Sequence, residues 1–282
     1  MITLDRRELD FQLFDVAAVE NLCRGPFVDY EREVISGILD TAEDLAREKF
    51  LPHADKSDRC EPRFEDGRAI LIPEIGEALA AFRDAGFFGS TFDHEWGGMQ
   101  MPETLRSAVS YLFFTANIGT SGYILLTNGA ANVLAEFASQ DQKARFLRPL
   151  VEGRFFGTMC LSEPHAGSSL ADITTTAHPQ EDGSYHLRGR KMWISGGEQE
   201  ISENIVHLVL AKVPGGGEGI KGISLFIAPK YHVNDDGSCG GRNGIRLAGL
   251  NHKMGYRGTT NTVLNFGDEE VCTAYRVGEE GK

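Results

Sequence analysis

Residues 156–177 read FGTMCLSEPHAGSSLADITTTA, and this stretch carries the strongest structural signal in the chain. A short run of aromatic and β-branched residues leads into a loop rich in Pro, Gly and Ser. In one interpretation, the loop hydroxyls only satisfy turn backbone. In the other, Ser162 leaves the strand with its hydroxyl and backbone N–H facing a planar polar ligand, and the small residues 166–169 let phosphate or amide groups approach the backbone closely. The residues alone leave both interpretations open.

A second stretch, residues 189–197, reads GRKMWISGG. Trp193 lies in mid-strand and Ser195 two residues later, so regular alternation predicts that both side chains face the same side of a sheet. A large aromatic ring beside a hydroxyl suits the face of a flavin ring. A core tryptophan followed by a strand-end serine is the more common explanation of such a pair when it is taken alone.

Outward from these stretches, the chain divides into two halves with different periods. Between residues 30 and 153 the apolar spacing is helical. One predicted stripe comprises Val34, Ile38, Ala42, Leu45 and Ala46. Further helices are predicted over 69–85, with Pro73 near the first turn and Gly86 as the stop, over 103–115 and over 121–137. Ser139 and Gln142 form a capping box ahead of another helix.

After residue 153 the period changes to two. Short β-branched or aromatic runs predict strands at 155–161, 173–177, 185–194, 205–213, 223–228 and 262–266. Strands in succession without intervening helices favour an antiparallel sandwich or barrel over a parallel α/β sheet. The glycines at 217, 219 and 222 satisfy G-x-G-x-x-G, but a strand rather than a helix follows them, so a hairpin loop is predicted and not a dinucleotide site.

Composition limits the possible partners. The 282 residues contain 28 Lys and Arg against 41 Asp and Glu, a formal charge of −13, which argues against nucleic-acid binding. The five cysteines and eight histidines show no metal-ligand spacing, so no metal site is predicted. Acidic residues interrupt the first 16 positions, and no apolar run approaches the ~18 residues of a membrane span. We therefore expect a cytoplasmic protein without a membrane span.

Together, the motifs CLSEPHAGSS (160–169) and GRKMWISGG (189–197) resemble the two FAD-binding strands of the acyl-CoA dehydrogenase family. Residues 249–266 (GLNHKMGYRGTTNTVLNF) resemble a strand pair near the end of that family's middle domain. The arm at 1–30, the loop at 215–219 and the insert at 231–244 resemble the larger, extended branch of the family, which includes enzymes for fatty acyl-CoA and for methylthio-propanoyl-CoA substrates.

The resemblance implies an α+β fold, in which an all-helical N-terminal domain precedes an antiparallel β-sandwich or barrel. The implied ranges are an arm at 1–30, a helical domain at 31–153 and a middle β-domain at 154–276. Residues 277–282 would begin a C-terminal helical domain, which we expect this chain to lack.

The resemblance also assigns residues to FAD. Leu161 and Ser162 would hydrogen-bond the pyrimidine edge of the flavin through backbone N–H and hydroxyl groups, and Met159 would lie against the ring nearby. Trp193 would pack on the isoalloxazine. Ser195, where threonine is commoner in the family, would reach the N5 region.

For the acyl-CoA substrate, the resemblance implies that Ser168, next to Gly167, contacts the CoA part. Two departures affect this loop, since Ser169 stands where the family usually has Asp and His165 where a smaller residue is frequent. The apolar helix 121–137 would wall the acyl tail, with Tyr123, Leu126 and Thr127 as candidate lining residues.

The implied reaction is FAD-dependent α,β-dehydrogenation of an acyl-CoA thioester, in which a Glu carboxylate removes the α-proton and the β-hydride passes to flavin N5. None of Glu163, Glu198 and Glu203 matches that base, and Glu163 is interpreted as structural. We therefore expect no catalytic residue in this chain and little dehydrogenation by the chain alone.

The family further implies an electron acceptor such as electron-transfer flavoprotein, and a homodimer or tetramer for the full-length protein. Two alternatives remain open at the level of sequence. One is a non-catalytic flavin- or acyl-CoA-binding module, and the other is an oxidase-type relative that passes electrons from flavin to oxygen.

Overall fold

The computed structural model describes residues 5–281. The chain enters through short helical turns, namely α1 (Arg6–Asp10), a π-helical turn (Phe11–Val16) and two 3₁₀ turns (Val19–Leu22 and Gly25–Phe27). The buried side chains of Leu13, Phe14 and Val19 join these turns to the core of the helical half. Residues 1–4 of the predicted arm, and residue 282 of the predicted range 277–282, lie outside the described residues.

The helical half continues to residue 151. Its helices are α2 (Arg32–Leu45), α3 (Ala54–Arg59), α4 (Pro73–Asp84), α5 (Glu103–Phe137), α6 (Gln140–Gln142) and α7 (Arg148–Val151). In α2 the predicted stripe was wrong at its start, because Ile35 and Leu39 are buried while Val34 is 45% exposed. The sequence offers two adjacent apolar rows on this helix, and only packing selects the one that faces the core.

The helix predicted over 69–85 is α4, and its C-terminal limit was predicted correctly. Pro73 is its first residue, and Gly86 follows its end at φ +77°, the left-handed conformation in which glycine stops a helix. Residues 69–72 were wrongly included. A small hairpin, β1 (Arg63–Glu65) with β2 (Arg68–Ile70), occupies that region, and Ile72 is extended because a proline follows it.

The two helices predicted at 103–115 and 121–137 are the two halves of α5, which is interrupted at Asn117 (φ −160°, ψ 91°). The side chain of Asn117 satisfies the backbone at this break. Its Nδ2 donates to the carbonyl of Phe50 at 3.1 Å, and its Oδ1 accepts from the N–H of Thr120 at 3.1 Å. The capping box of Ser139 and Gln142, at the start of α6, is also present.

Within residues 5–281, α5 is the one helix long and apolar enough to cross a membrane by length and composition. Its most apolar window has a mean hydropathy of 1.2, and 61% of that window is buried inside the protein. This burial is typical of a core helix.

The second half of the chain is built of strands. They are β3 (Phe155–Cys160), β4 (Thr176–Pro179), β5 (Tyr185–Ser195), β6 (Asn204–Lys212), β7 (Ile223–Pro229), β8 (Tyr231–Val233), β9 (Cys239–Arg242), β10 (Ile245–Leu250), β11 (Asn261–Phe266) and β12 (Cys272–Val277). The large sheet has the order β10-β11-β5-β12-β7-β6-β3. Because β4 pairs with β5 and also contacts β6, the five strands β4, β5, β12, β7 and β6 close into a barrel.

The large sheet is mainly antiparallel, as predicted, but two of its strand pairings are parallel. β3 runs parallel to β6 along its whole length, and β4 meets β6 in parallel at a single residue pair. Strand direction is not visible in a period-two pattern, and β3 can lie parallel to β6 because the long segment carrying β4 and β5 separates them. The predicted strand at 173–177 begins instead at residue 176. The G-x-G-x-x-G segment forms the loop between antiparallel β6 and β7, as predicted.

The helical and β halves meet where β3 lies on α5. A Cβ added at Gly157 of β3 would come 2.4 Å from the Cβ of Ala130. Beside this contact, the hydroxyl of Thr127 accepts from the N–H of Gly157 at 3.1 Å and donates to the carbonyl of Tyr123 at 2.7 Å. The middle of β3 therefore lies against the second half of α5.

This contact makes a direct prediction. Gly157→Ala should lower the free energy of unfolding by about 1–3 kcal/mol, because the added methyl overpacks the interface with Ala130. The control is Gly129→Ala in α5, next to Ala130 but with open space around the added Cβ. This change should raise the free energy of unfolding by about 0.5–1 kcal/mol, because alanine has the higher helix propensity. Urea unfolding of both variants measures the difference, and equal effects would contradict the close contact.

Candidate functional site

The site is built where β3 ends and its loop turns back. Glu163 and Ala166 exchange two backbone hydrogen bonds, of 2.7 and 3.1 Å, which fold residues 163–166 into a tight turn. Beyond this turn, Gly167 and Ser168 are exposed. The loop therefore places the two residues predicted to contact CoA on the surface.

The carboxylate of Glu163 organises the return of the loop. Its Oε2 accepts from the N–H and hydroxyl of Thr174, both at 2.8 Å. Its Oε1 accepts from the N–H and hydroxyl of Thr175, at 3.0 and 2.6 Å. The residue is only 3% exposed. Burial by itself raises the pKa of a carboxyl group, but these bonds and Lys191 outweigh it and lower the pKa of Glu163 to about 2.

The partner of Glu163 is a lysine without solvent exposure. Lys191 Nζ lies 3.0 Å from Glu163 Oε1 and donates to the carbonyl of Leu161 at 3.0 Å. Burial lowers the pKa of Lys191, and the neighbouring carboxylate opposes that effect. The pair therefore links the middle of β5 to the end of β3. These contacts support the interpretation of Glu163 as structural.

A bulge in β5 turns Trp193 outward. Ile194 and Lys191 pair with residues 262 and 264 of β11, so two residues of β5 oppose one of β11. Trp193 lies in this bulge at φ +65° and is 55% exposed. A left-handed conformation costs a bulky residue about 1–2 kcal/mol. After the bulge, Ile194 is buried and Ser195 is partly open.

The loop after β3 that carries Ser162 lies beside the bulge of β5 that carries Trp193, and the edge formed by these two segments continues to Ser195. The N–H of Met192 donates to the carbonyl of Ser162 at 3.0 Å, which joins the β3 loop directly to the bulge. Among residues 5–281, the hydroxyls of Ser162 and Ser195 and the indole N–H of Trp193 have no protein hydrogen-bond partner, Ser162 and Ser195 are partly exposed, and Trp193 is exposed. Three unused polar groups and an exposed aromatic ring thus lie on two segments that this backbone bond joins.

The other predicted contacts are placed differently. Met159 is half-buried against the core between α5 and the sheet. Tyr123 and Thr127 are buried, and the hydroxyl of Tyr123 accepts from the N–H of Thr260 at 3.1 Å. Leu126 is the accessible member of the three predicted lining residues, and its Cδ1 would lie 3.1 Å from a Cβ at Gly196, the residue after β5.

Two buried charge contacts were missed at the level of sequence, the first at this edge and the second outside it. Lys191 was not singled out, because a lysine that follows Arg190 in a strand gives no local signal that its side chain is buried. The second is a buried charge cluster just beyond Gly197, in which Lys230 Nζ contacts Glu198 and donates to the carbonyl of Gln199 at 2.9 Å. Arg242 also donates to Glu198, at 2.8 Å.

Two known protein-domain families match the two halves of this chain. Sequence models described as "Acyl-CoA dehydrogenase, N-terminal domain" and "Acyl-CoA dehydrogenase, middle domain" match residues 34–154 and 158–268. The chain belongs to the acyl-CoA dehydrogenase family. The expected fold class, a helical N-terminal part followed by the middle β-domain, is therefore confirmed.

Individual relatives agree with this assignment. The chain is 37% identical over 270 residues to a 3-methylmercaptopropionyl-CoA dehydrogenase of Ruegeria pomeroyi, covering 93% of this chain and 45% of the relative. It is 32% identical over 254 residues to a butyryl-CoA dehydrogenase of Syntrophomonas wolfei, covering 89% and 42%. The chain thus spans less than half the length of these relatives. The structure of butyryl-CoA dehydrogenase from Megasphaera elsdenii matches with a TM-score of 0.69 and 25% identity, covering 89% of this chain and 60% of that one.

The buried carboxylate predicts a pH dependence. The pKa of Glu163 is depressed from about 4.5 to about 2 in the fold, so its stabilisation is complete above pH 4.5 and is lost as the pH falls towards 2. The loss amounts to about 3 kcal/mol. Glu163→Gln should be less stable than the parent at pH 6, and the gap should narrow between pH 4.5 and 2. Urea unfolding across this range measures it, and a constant gap would contradict the assignment.

Proposed function

We propose that this chain forms the flavin- and acyl-thioester-binding part of an FAD-dependent acyl-CoA dehydrogenase, which introduces an α,β double bond into an acyl-CoA. The observation that carries the proposal is the edge shared by Ser162, Trp193 and Ser195, where polar groups without protein partners lie beside an exposed indole. The names of the relatives in Ruegeria and Syntrophomonas support this reaction class.

The groups at this edge suit a flavin. A fused flat ring with oxygen and nitrogen acceptors along its rim requires hydrogen-bond donors in its plane and an apolar surface on one face. The hydroxyls of Ser162 and Ser195 can supply the donors, and the bulged Trp193 can supply the face. When bound, FAD supplies the hydride acceptor for this chemistry. Met159 and the backbone of Leu161 belong to the same proposed site.

The substrate side of the proposal rests on the loop and on α5. Ser168 and Gly167 are exposed and can contact the CoA part, while Leu126 borders the turn after β5 and can meet the acyl chain. Tyr123 and Thr127 would support the pocket wall without touching the acyl chain, because they are buried and their hydroxyls already accept from the backbone N–H groups of Thr260 and Gly157. Glu163 and Glu198 are buried in ion pairs, so neither is assigned as the base that removes the α-proton.

The remaining expectations belong to the same proposal. These are the division at residues 30/31, 153/154 and 276/277, an electron acceptor such as electron-transfer flavoprotein, a homodimer or tetramer, and a cytoplasmic location. An acyl-CoA substrate and a flavoprotein acceptor fit the family to which the chain belongs. Neither an oxidase-type nor a non-catalytic role is favoured by a particular feature of the site.

The two tryptophans provide a direct test of flavin binding. Trp96 lies half-buried in a loop of the helical half, and Trp193 is at the proposed site. Titration of the chain with FAD should quench tryptophan fluorescence. Trp96→Phe, which keeps only Trp193, should retain most of the quenching. Trp193→Phe, which keeps only Trp96, should lose most of it and bind FAD at least tenfold more weakly, by about 1.4 kcal/mol.

The opposite pattern, or equal quenching of both single-tryptophan variants with unchanged affinity, would contradict the proposed position of the flavin. Saturating FAD that leaves the fluorescence and the visible flavin spectrum unchanged would contradict flavin binding by this chain altogether.

A further inference from the structure

We infer that Lys191 and Glu163 act as a positioning pair that fixes the peptide Leu161–Ser162 and the Trp193 bulge as one rigid surface for the flavin. The inference rests on the proposed function for the identity of the ligand. It goes beyond that function by assigning a role to two residues that are too deeply buried to contact a ligand themselves.

The first step concerns the orientation of one peptide group. Lys191 Nζ holds the carbonyl oxygen of Leu161 at 3.0 Å, inside the protein. In a trans peptide, the C=O of one residue and the N–H of the next are coplanar and point in opposite directions. By holding the Leu161 carbonyl inward, Lys191 directs the N–H of Ser162 outward, towards the edge that bears the open Ser162 hydroxyl.

The second step concerns the bulge. Lys191 and Trp193 are two residues apart, so in a regular strand both side chains would lie on the same face. The extra residue of the bulge separates them, and Lys191 enters the interior while Trp193 remains 55% exposed. A strained backbone such as that of Trp193 persists only when its surroundings determine it. The two contacts of the buried Lys191 ammonium provide that constraint on one side of the bulge.

The third step concerns the connection between the two strands. Glu163 accepts four hydrogen bonds from Thr174 and Thr175, at the far end of the loop. The same carboxylate also binds Lys191, so it connects that end of the loop to β5. The bond from the Met192 N–H to the Ser162 carbonyl, at 3.0 Å, then closes a small ring of contacts around the site. Substitution of Lys191 removes neither the Met192 N–H nor the Ser162 carbonyl. We still expect the hydrogen bond between them to weaken, because the lysine no longer holds the two segments together.

A buried ion pair can also serve stability alone, and a double variant separates the two roles. Lys191→Met leaves the Glu163 charge buried without its partner, whereas Lys191→Met with Glu163→Gln removes both charges. Neither protein can donate from position 191 to the Leu161 carbonyl. The matched control is Lys230→Met, which removes a buried lysine that also holds a glutamate and a backbone carbonyl, Glu198 and the carbonyl of Gln199, outside the proposed flavin edge.

The experiment measures amide hydrogen exchange at Met192 by NMR, FAD affinity by titration, and the midpoint of urea unfolding, on the chain and the three variants. We expect exchange at Met192 at least tenfold faster in Lys191→Met and in the double variant, but changed less than threefold in Lys230→Met. The double variant should regain part of the urea midpoint lost by Lys191→Met. Its FAD affinity should stay at least tenfold below that of the parent.

Two results would overturn the inference. One is a double variant that recovers Met192 protection and FAD affinity together with stability, which would show a purely structural pair. The other is Lys191→Met with parental exchange at Met192. If the parent itself does not bind FAD, the proposed function fails, and the exchange data still decide whether the pair fixes this surface.

Discussion

A lysine ammonium that is fully removed from water must be surrounded by acceptors, and Lys191 meets this requirement with the carboxylate of Glu163 and the carbonyl of Leu161. Each acceptor lies in the segment that leaves β3, whereas Lys191 lies in β5. The electrostatic requirement of one buried charge therefore determines how these two segments approach each other. The exposed groups of the candidate site follow from that approach, since Ser162 and Trp193 are each within two residues of the pair.

Close packing determines where this surface lies relative to the helices. Gly157 allows β3 to approach Ala130 of α5, and the turn after β5 meets Leu126 of the same helix. At the interruption of α5, the side chain of Asn117 forms hydrogen bonds with the carbonyl of Phe50 and the N–H of Thr120. A single long helix thus supports both halves of the molecule, and a ligand at the β3–β5 edge would lie beside it.

Much of the fold could be predicted from the sequence because its signals are local. The change from a helical to a period-two pattern near residue 153, the proline start and glycine stop of α4, and the capping box at Ser139 each depend on a few neighbouring residues. The errors share a different cause. The buried row of α2 and the parallel pairing of β3 with β6 depend on partners distant in sequence, which local periodicity does not reveal.

For the candidate site, the sequence by itself determined the family motifs, and with them the residues Ser162, Trp193 and Ser195 on two neighbouring segments. Only the tertiary structure showed that an extra residue in β5 sends Lys191 inward and Trp193 outward, and that Tyr123 and Thr127 are buried. The physical reason is that residue types and spacing specify chemistry and local conformation. The direction of a side chain at a bulge, and the burial of a helix face, are decided by the free energy of packing against distant parts of the chain.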